Sequence, residues 1–118
     1  MRDFRKYDVW NLAVDFSTNI YSLTEEFPVN ESYSLTMQLR RASVSVASNI
    51  AEGASRSSEL DFCRFLEIAL GSAFEVETQL VIAARLKYIS TEIVELLLEN
   101  IHTIQKKINN LIQTIKSY

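Results

Sequence analysis

Only three of the 118 residues are glycine or proline, namely Pro28, Gly53 and Gly71, where average usage would place roughly fourteen. Tight turns depend on those two residue types, glycine for positive φ and proline for its fixed φ. A sheet protein with many hairpins is therefore excluded, and helices are left. Apolar residues make up 47% of the chain and charged residues 23%, a globular balance. A chain of this length buries roughly two-thirds of the surface its unfolded form exposes, so residues 1–118 read as a single domain with a working core. The one cysteine, Cys63, rules out an intramolecular disulfide.

Three interruptions divide the helical pattern. In Phe27-Pro28-Val29-Asn30-Glu31-Ser32 the proline removes a backbone donor and pushes its predecessor out of helical geometry. In Gly53-Ala54-Ser55-Arg56-Ser57 the glycine suits the left-handed residue that closes a helix. Ser58-Glu59-Leu60-Asp61 then sets a serine three positions before a carboxylate, a helix-opening cap. The third break, near Tyr88-Ile89-Ser90-Thr91, has capping residues but neither glycine nor proline. The predicted helices are 7–27, 34–53, 59–87 and 91–117. Short connections favour antiparallel neighbours, so the expected fold is all-α, an up-and-down four-helix bundle.

The fourth helix has one apolar seam, Val94, Leu97, Ile101, Ile104, Ile108, Leu111 and Ile115, spaced alternately by three and four. Glu95, Glu99, His102, Lys106, Asn109 and Gln113 fall opposite. The other helices each carry a second apolar stripe. The first sets Val9, Ala13, Phe16 and Ile20 on one side and Trp10, Val14 and Tyr21 on another. The second turns Leu35, Leu39, Ala42, Val46 and Ile50 inward, with Met37, Val44, Ala47 and Ala51 nearly opposite. The third pairs a main stripe of Phe62, Leu66, Ala69, Ala73, Val76 and Leu80 with Cys63, Leu70, Phe74 and Val81. Wide stripes with some exposed apolar side chains would need no partner. Large exposed apolar patches are rare on soluble monomers, however. The surplus predicts a homo-oligomer whose subunit interface holds Trp10, Val14, Tyr21, Met37, Val44, Cys63, Leu70, Phe74 and Val81.

Arg41, Ser45, Ser48 and Glu52 run along helix two, Asn49 points toward its apolar side, and Arg40 leans toward Ala47 and Ala51. If Arg40, Arg41 or Glu52 is enclosed, it should meet Glu67, Glu75 or Glu77. These polar groups then fix register or subunit orientation, or form a small binding site. For catalysis the inventory is thin. His102 is the sole histidine and lies on the wet face, while Cys63 reads as a small buried hydrophobe. There is no Cys-x-x-Cys, no His-x-x-x-His, and no pair of Glu-x-x-His motifs of the di-iron type. The two glycines are isolated, so no phosphate-cradling loop exists, and Gly71, beside Ala69, Ser72 and Ala73, instead permits close helix approach. The expectation is no enzyme, no cofactor and no metal.

No run approaches the eighteen or so apolar residues of a membrane span, and Met1-Arg2-Asp3-Phe4-Arg5-Lys6 lacks the apolar stretch of a secretory signal, so no membrane role and a cytoplasmic location are expected. Net charge is −3, which gives no global field to attract nucleic acid. Any basic surface is local. Arg5 and Lys6 near one terminus and Lys106 and Lys107 near the other would share one end of an antiparallel bundle. With Arg40, Arg41, Arg56 and Arg64 they are the candidate nucleic-acid contacts, and a symmetric assembly would multiply them.

The runs Gln38-Leu39-Arg40-Arg41-Ala42-Ser43-Val44-Ser45, Asn49-Ile50-Ala51-Glu52-Gly53 and Phe62-Cys63-Arg64-Phe65-Leu66-Glu67-Ile68-Ala69-Leu70-Gly71-Ser72 resemble the bacterial four helix bundle protein family. Its founding members are encoded in intervening sequences within 23S ribosomal RNA genes. The likeness extends to Tyr7–Trp10, Phe27-Pro28 and Glu75–Leu80, and so covers nearly the whole chain. Arg41, Asn49 and Glu52 are its polar motif positions here. The resemblance implies a left-handed up-and-down bundle assembled into a ring, typically of five subunits, with no established enzymatic activity. A related branch serves diversity-generating retroelements, where a basic pentamer is thought to bind RNA and the reverse transcriptase. The acidity of this chain departs from that branch. A non-enzymatic oligomeric interaction scaffold is therefore the expected function. The alternative is an RNA-associated module of ribosomal-RNA or retroelement type.

Overall fold

A computed structural model describes residues 2–117 and contains, among them, four helices and no strand: α1 (Asp8–Thr24), α2 (Leu35–Ala54), α3 (Glu59–Arg85) and α4 (Thr91–Lys116). Single 3-10 turns at Phe4–Lys6 and Val29–Glu31 precede α1 and α2. α2 packs between α1 and α3, and α4 closes the bundle against α3 and α1. Cross-helix contacts fix the alignment of the pairs. Ser17 meets Ser43 at 3.1 Å, Ser45 meets Ser72 at 2.8 Å, Gln105 meets Glu77 at 2.8 Å, and Lys107 meets Asp8 at 2.8 Å.

The helix starts follow the capping residues. The Ser58 hydroxyl accepts from the Asp61 amide and the Ser90 hydroxyl from the Ile93 amide, which satisfies donors that the first turn of a helix leaves open. The ends depart from the sequence reading. α1 stops at Thr24 rather than 27, because the chain tightens ahead of Pro28: Glu26 and Phe27 donate three residues back, to Leu23 and Thr24. Phe27 then folds inward and packs against the Tyr88 ring, with centroids 5.5 Å apart. α3 stops at Arg85 rather than 87. Lys87 adopts φ 65, and the amides of Lys87 and Tyr88 donate to Ala84 and Ala83, the paired bonds of a Schellman closure. No glycine marks that stop.

Neither glycine has the role expected of it. Gly53 does not close α2 in a left-handed conformation; it lies inside the helix, which runs on through Ala54. A Cβ there would sit 2.8 Å from the Phe65 Cβ and 3.2 Å from the Phe62 carbonyl oxygen. Gly53 thus lets α2 lie close against α3 at this point. Gly71, expected to allow such an approach, is exposed, and a Cβ on it would have nothing within 4 Å in this chain.

One buried cluster runs through all four helices, with Ile20, Leu39, Ile50, Phe62, Leu66, Leu80, Ile101 and Ile108 almost wholly enclosed. Burial of each such side chain stabilises by about 1.5–3 kcal/mol. On α4 the seam holds from Val94 to Ile108 and then passes to Ile112, leaving Leu111 and Ile115 half-buried. An unsupercoiled helix drifts off a strict heptad; at about 3.6 residues per turn Ile112 falls five turns directly below Val94.

Two substitutions test these backbone readings. Lys87→Gly relieves a left-handed residue that costs a side-chain-bearing position about 1–2 kcal/mol, and should raise stability in urea by about 0.5–1 kcal/mol. Gly53→Ala should lower it by about 1–3 kcal/mol, as overpacking does; a neutral result at Gly53 would refute the close approach.

Candidate functional site

The polar strip of α2 comes together only in part. The Asn49 amide donates to the carbonyl and hydroxyl of Ser45, both at 2.9 Å, and the Ser45 hydroxyl meets Ser72 on α3. Arg41 is exposed and lines a shallow groove of about 260 Å³ with Gln38, Ala42, Ser45 and Glu75. None of Arg40, Arg41 and Glu52 pairs with Glu67, Glu75 or Glu77. Glu52 is exposed, 4.0 Å from Arg56 one turn on. Arg40 turns instead to α1: its Nε donates to Thr24 Oγ1 at 2.8 Å, an Nη donates to the Tyr21 carbonyl, and the guanidinium lies 4.6 Å from the Tyr21 ring centroid. A cation placed on the last carbonyls of α1 complements the helix dipole, which explains its position without a buried acid.

Most of the candidate nucleic-acid residues are engaged within the chain. Arg56 and Arg64 flank the Phe65 ring at 4.6 and 5.5 Å, and Arg64 also reaches Asp61 at 3.2 Å. Arg5 stands 5.5 Å from the Phe4 ring. Lys107 is bound to Asp8, a contact that does bring the basic residues of the two termini to one end. Lys6 and Lys106 are exposed, and neither they nor Arg5 forms an ion pair among the described residues. The sequence offered no sign of what Arg2 does: it pairs with Glu59, donates to the Ala54 and Arg56 carbonyls, and covers the Phe62 ring at 4.6 Å.

Three of the expected interface residues converge. Val14 and Tyr21 of α1 and Val44 of α2 line one groove of about 340 Å³ with Ser17, Thr18, Ala47 and Ser48. Met37 is also exposed on α2. Trp10 is half-buried, held edge-on beneath Phe4 with ring centroids 5.0 Å apart. On α3, Phe74 is 52% exposed, Leu70 rests half-buried against the core, and Val81 is half-buried. Cys63 is a correction: at 4% exposure it belongs to the core of its own bundle. The sequence reading also missed Ile68, Ile82 and Leu86 on the open side of α3. Their spacing of fourteen and four was the available signal, and the interposed Glu75 broke it.

Residues 5–110 match the model of the 23S rRNA-intervening sequence protein family. The chain belongs to that family. Among solved structures it is similar to a protein of unknown function from the S23 ribosomal protein family of Bacteroides thetaiotaomicron VPI-5482, at 27% identity and a TM-score of 0.83, over 89% of this chain and 95% of that one. No curated protein matches it. None of its helices is long and apolar enough, among the described residues, to cross a membrane.

Two carboxylates in this 23S rRNA-intervening sequence protein are held below their ordinary range. Glu77 is lowered first by the Gln105 amide and then by His102, whose Nε2 lies 3.1 Å away. Glu31 is lowered first by the Ser34 hydroxyl and then by the Tyr88 phenol, which is itself raised because it donates to that carboxylate. A carboxylate with a depressed folded pKa adds stability that is present above its unfolded value and lost as pH falls through the folded one. Stability should therefore decline as pH drops from about 5 toward 3. Glu77→Gln should flatten part of that decline in urea midpoints; an unchanged slope would show that the α3–α4 pair does not contribute.

Proposed function

We propose that this protein is a non-enzymatic scaffold: an antiparallel, left-handed up-and-down bundle whose copies assemble into a cytoplasmic ring, five to a ring by the family resemblance, and present a repeated surface to a partner. The Ser17–Ser43, Ser45–Ser72, Gln105–Glu77 and Lys107–Asp8 contacts support the up-and-down order. One observation carries the assembly. Exposed apolar side chains occupy two separate sides of the bundle, the α1–α2 groove with Tyr21 and Val44 beside the half-buried Val14, and the open side of α3 with Ile68, Phe74 and Ile82. Two faces of standard size, about 800 Å² each, would take less than a quarter of the 7137 Å² the chain exposes, which a subunit this small can provide.

Light scattering at micromolar concentration should return a mass several times 13.5 kDa. Phe74→Glu should reduce it to that of one chain with helicity kept, whereas Leu97→Glu, in the core, should lose both. A monodisperse 13.5 kDa species would overturn the assembly.

A second reading, an RNA-associated module, draws on Arg5, Lys6 and Lys106, exposed cations outside the ion pairs that engage Lys107 and Lys116. A ring would multiply this small patch. Binding to structured RNA through phosphates weakens linearly with log salt, and Lys6→Glu with Lys106→Glu should reduce that slope. No affinity at low salt would leave the scaffold alone.

A further inference from the structure

We infer that the groove between α1 and α4 binds a small primary amine, with the ammonium group held at Asp15 and the alkyl stem laid on an apolar floor; the site is built within one copy and goes beyond the scaffold reading.

The groove encloses about 170 Å³, and its apolar and polar linings are distinct. Phe16 and Ile104 are buried members of the core, and Leu12 is half-buried beside them. They form the floor. Asp15 and Asn19 from α1, with Asn100 and Thr103 from α4, are exposed and form the rim. The Lys107–Asp8 ion pair, which joins the same two helices, lies about two turns along α1 from Asp15. Its lysine is therefore already engaged elsewhere.

The rim groups have no partner within the chain. Among the described residues, the side chains of Asp15, Asn19 and Asn100 form neither a hydrogen bond nor an ion pair, whereas those of Asn11 and Asn49 bond to nearby carbonyls. Aspartate and asparagine inside a helix weaken it relative to glutamate, glutamine or lysine. Three such residues thus converge on one groove with no internal bond to offset that cost.

The chemistry of the rim selects the ligand. Thr103 donates its hydroxyl proton to the Glu99 carbonyl at 3.1 Å, which leaves it an acceptor toward the groove. With the Asp15 carboxylate and the carboxamide oxygens of Asn19 and Asn100, the rim presents one negative charge and three neutral acceptors. An ammonium group carries three donors and no acceptor, and so matches this set. A carboxylate or phosphate would instead meet Asp15 with like charge.

The floor selects the stem. Leu12 and Phe16 are one turn apart, about 6 Å along the helix axis, which suits a short alkyl chain. An apolar surface joined to a few placed polar groups is the usual make-up of a small-molecule site. Bonds to ionised groups are the stronger ones, so Asp15 anchors the amine and the floor discriminates between stems.

The experiment titrates 1-butylamine at neutral pH against the full chain and follows binding by ligand-observed NMR. Saturable binding in the millimolar range is expected, with none for butyrate. Methylamine, three methylenes shorter, should bind at least about tenfold more weakly. Asp15→Asn should weaken butylamine binding about tenfold with helicity kept, and Glu95→Gln, an exposed carboxylate outside the groove, should leave it unchanged. Absence of saturable binding would overturn the inference. So would equal affinities for methylamine and butylamine, or for the parent and Asp15→Asn chains.

Discussion

The bundle depends on how closely α2 approaches α3 at Gly53. With no side chain at that position, the helix backbone sits against Phe62 and Phe65, and the consequences spread from those two rings. Phe62 is almost fully enclosed; Tyr7 meets it edge-on at 5.8 Å and Arg2 covers its face. The segment before α1 is thereby fastened to the α2–α3 corner, where Arg2 also takes up carbonyls that the end of α2 would leave open. On the outer side, Arg56 and Arg64 stack on Phe65. One missing Cβ thus organises the packing of two rings, three arginines and the entry to α1.

The number of helices, their caps and their core stripes were legible because they rest on local chemistry. Ser58 and Ser90 cap as expected, and apart from Leu111 and Ile115 at the end of α4 the main-stripe positions that repeat every three or four residues are buried. What could not be read depends on rotation and distance between helices. Cys63 sits at the margin of a stripe, and only the roll of α3 about its axis sends it into the core rather than to the surface. Arg40 and Tyr21 are nineteen positions apart, so nothing in the linear order says that one lies over the other. That Gly53, and not Gly71, is the glycine set against a neighbouring helix has the same origin. Periodicity shows that a face is smooth, and only the neighbouring helix decides whether that smoothness is used. The stop at Lys87 was hidden for a different reason. Its left-handed backbone is imposed by the closure onto Ala83 and Ala84 rather than by an intrinsic preference of lysine.

The polar residues share one habit that bears on assembly. Thr18, Thr24, Thr78, Thr103 and Thr114 each donate to the carbonyl four positions back on their own helix. Such bonds add little to helix stability, yet they change what a surface costs to cover. A hydroxyl that already has a partner loses little when water leaves, so a face carrying apolar side chains and back-bonded threonines behaves as more apolar than its composition suggests. The 47% apolar content therefore understates how much of this surface can be buried against another.

Charge follows the same economy. Arg2, Arg5, Arg40, Arg56 and Arg64 are held over aromatic rings, and Lys107 and Lys116 in ion pairs. A cation fixed against a ring or a carboxylate contributes to packing, and its field beyond about 8 Å is screened at physiological salt. With twelve cations against fifteen acids and more than half of the cations so engaged, no single copy projects a positive surface. Affinity for a polyanion would have to come from repetition, since a few free cations per copy, brought to one rim by symmetry, act together only if the ring first forms. On the assembly proposed above, the order of dependence is set by the chain itself: the apolar faces would bring copies together, and only then could the scarce free cations act together.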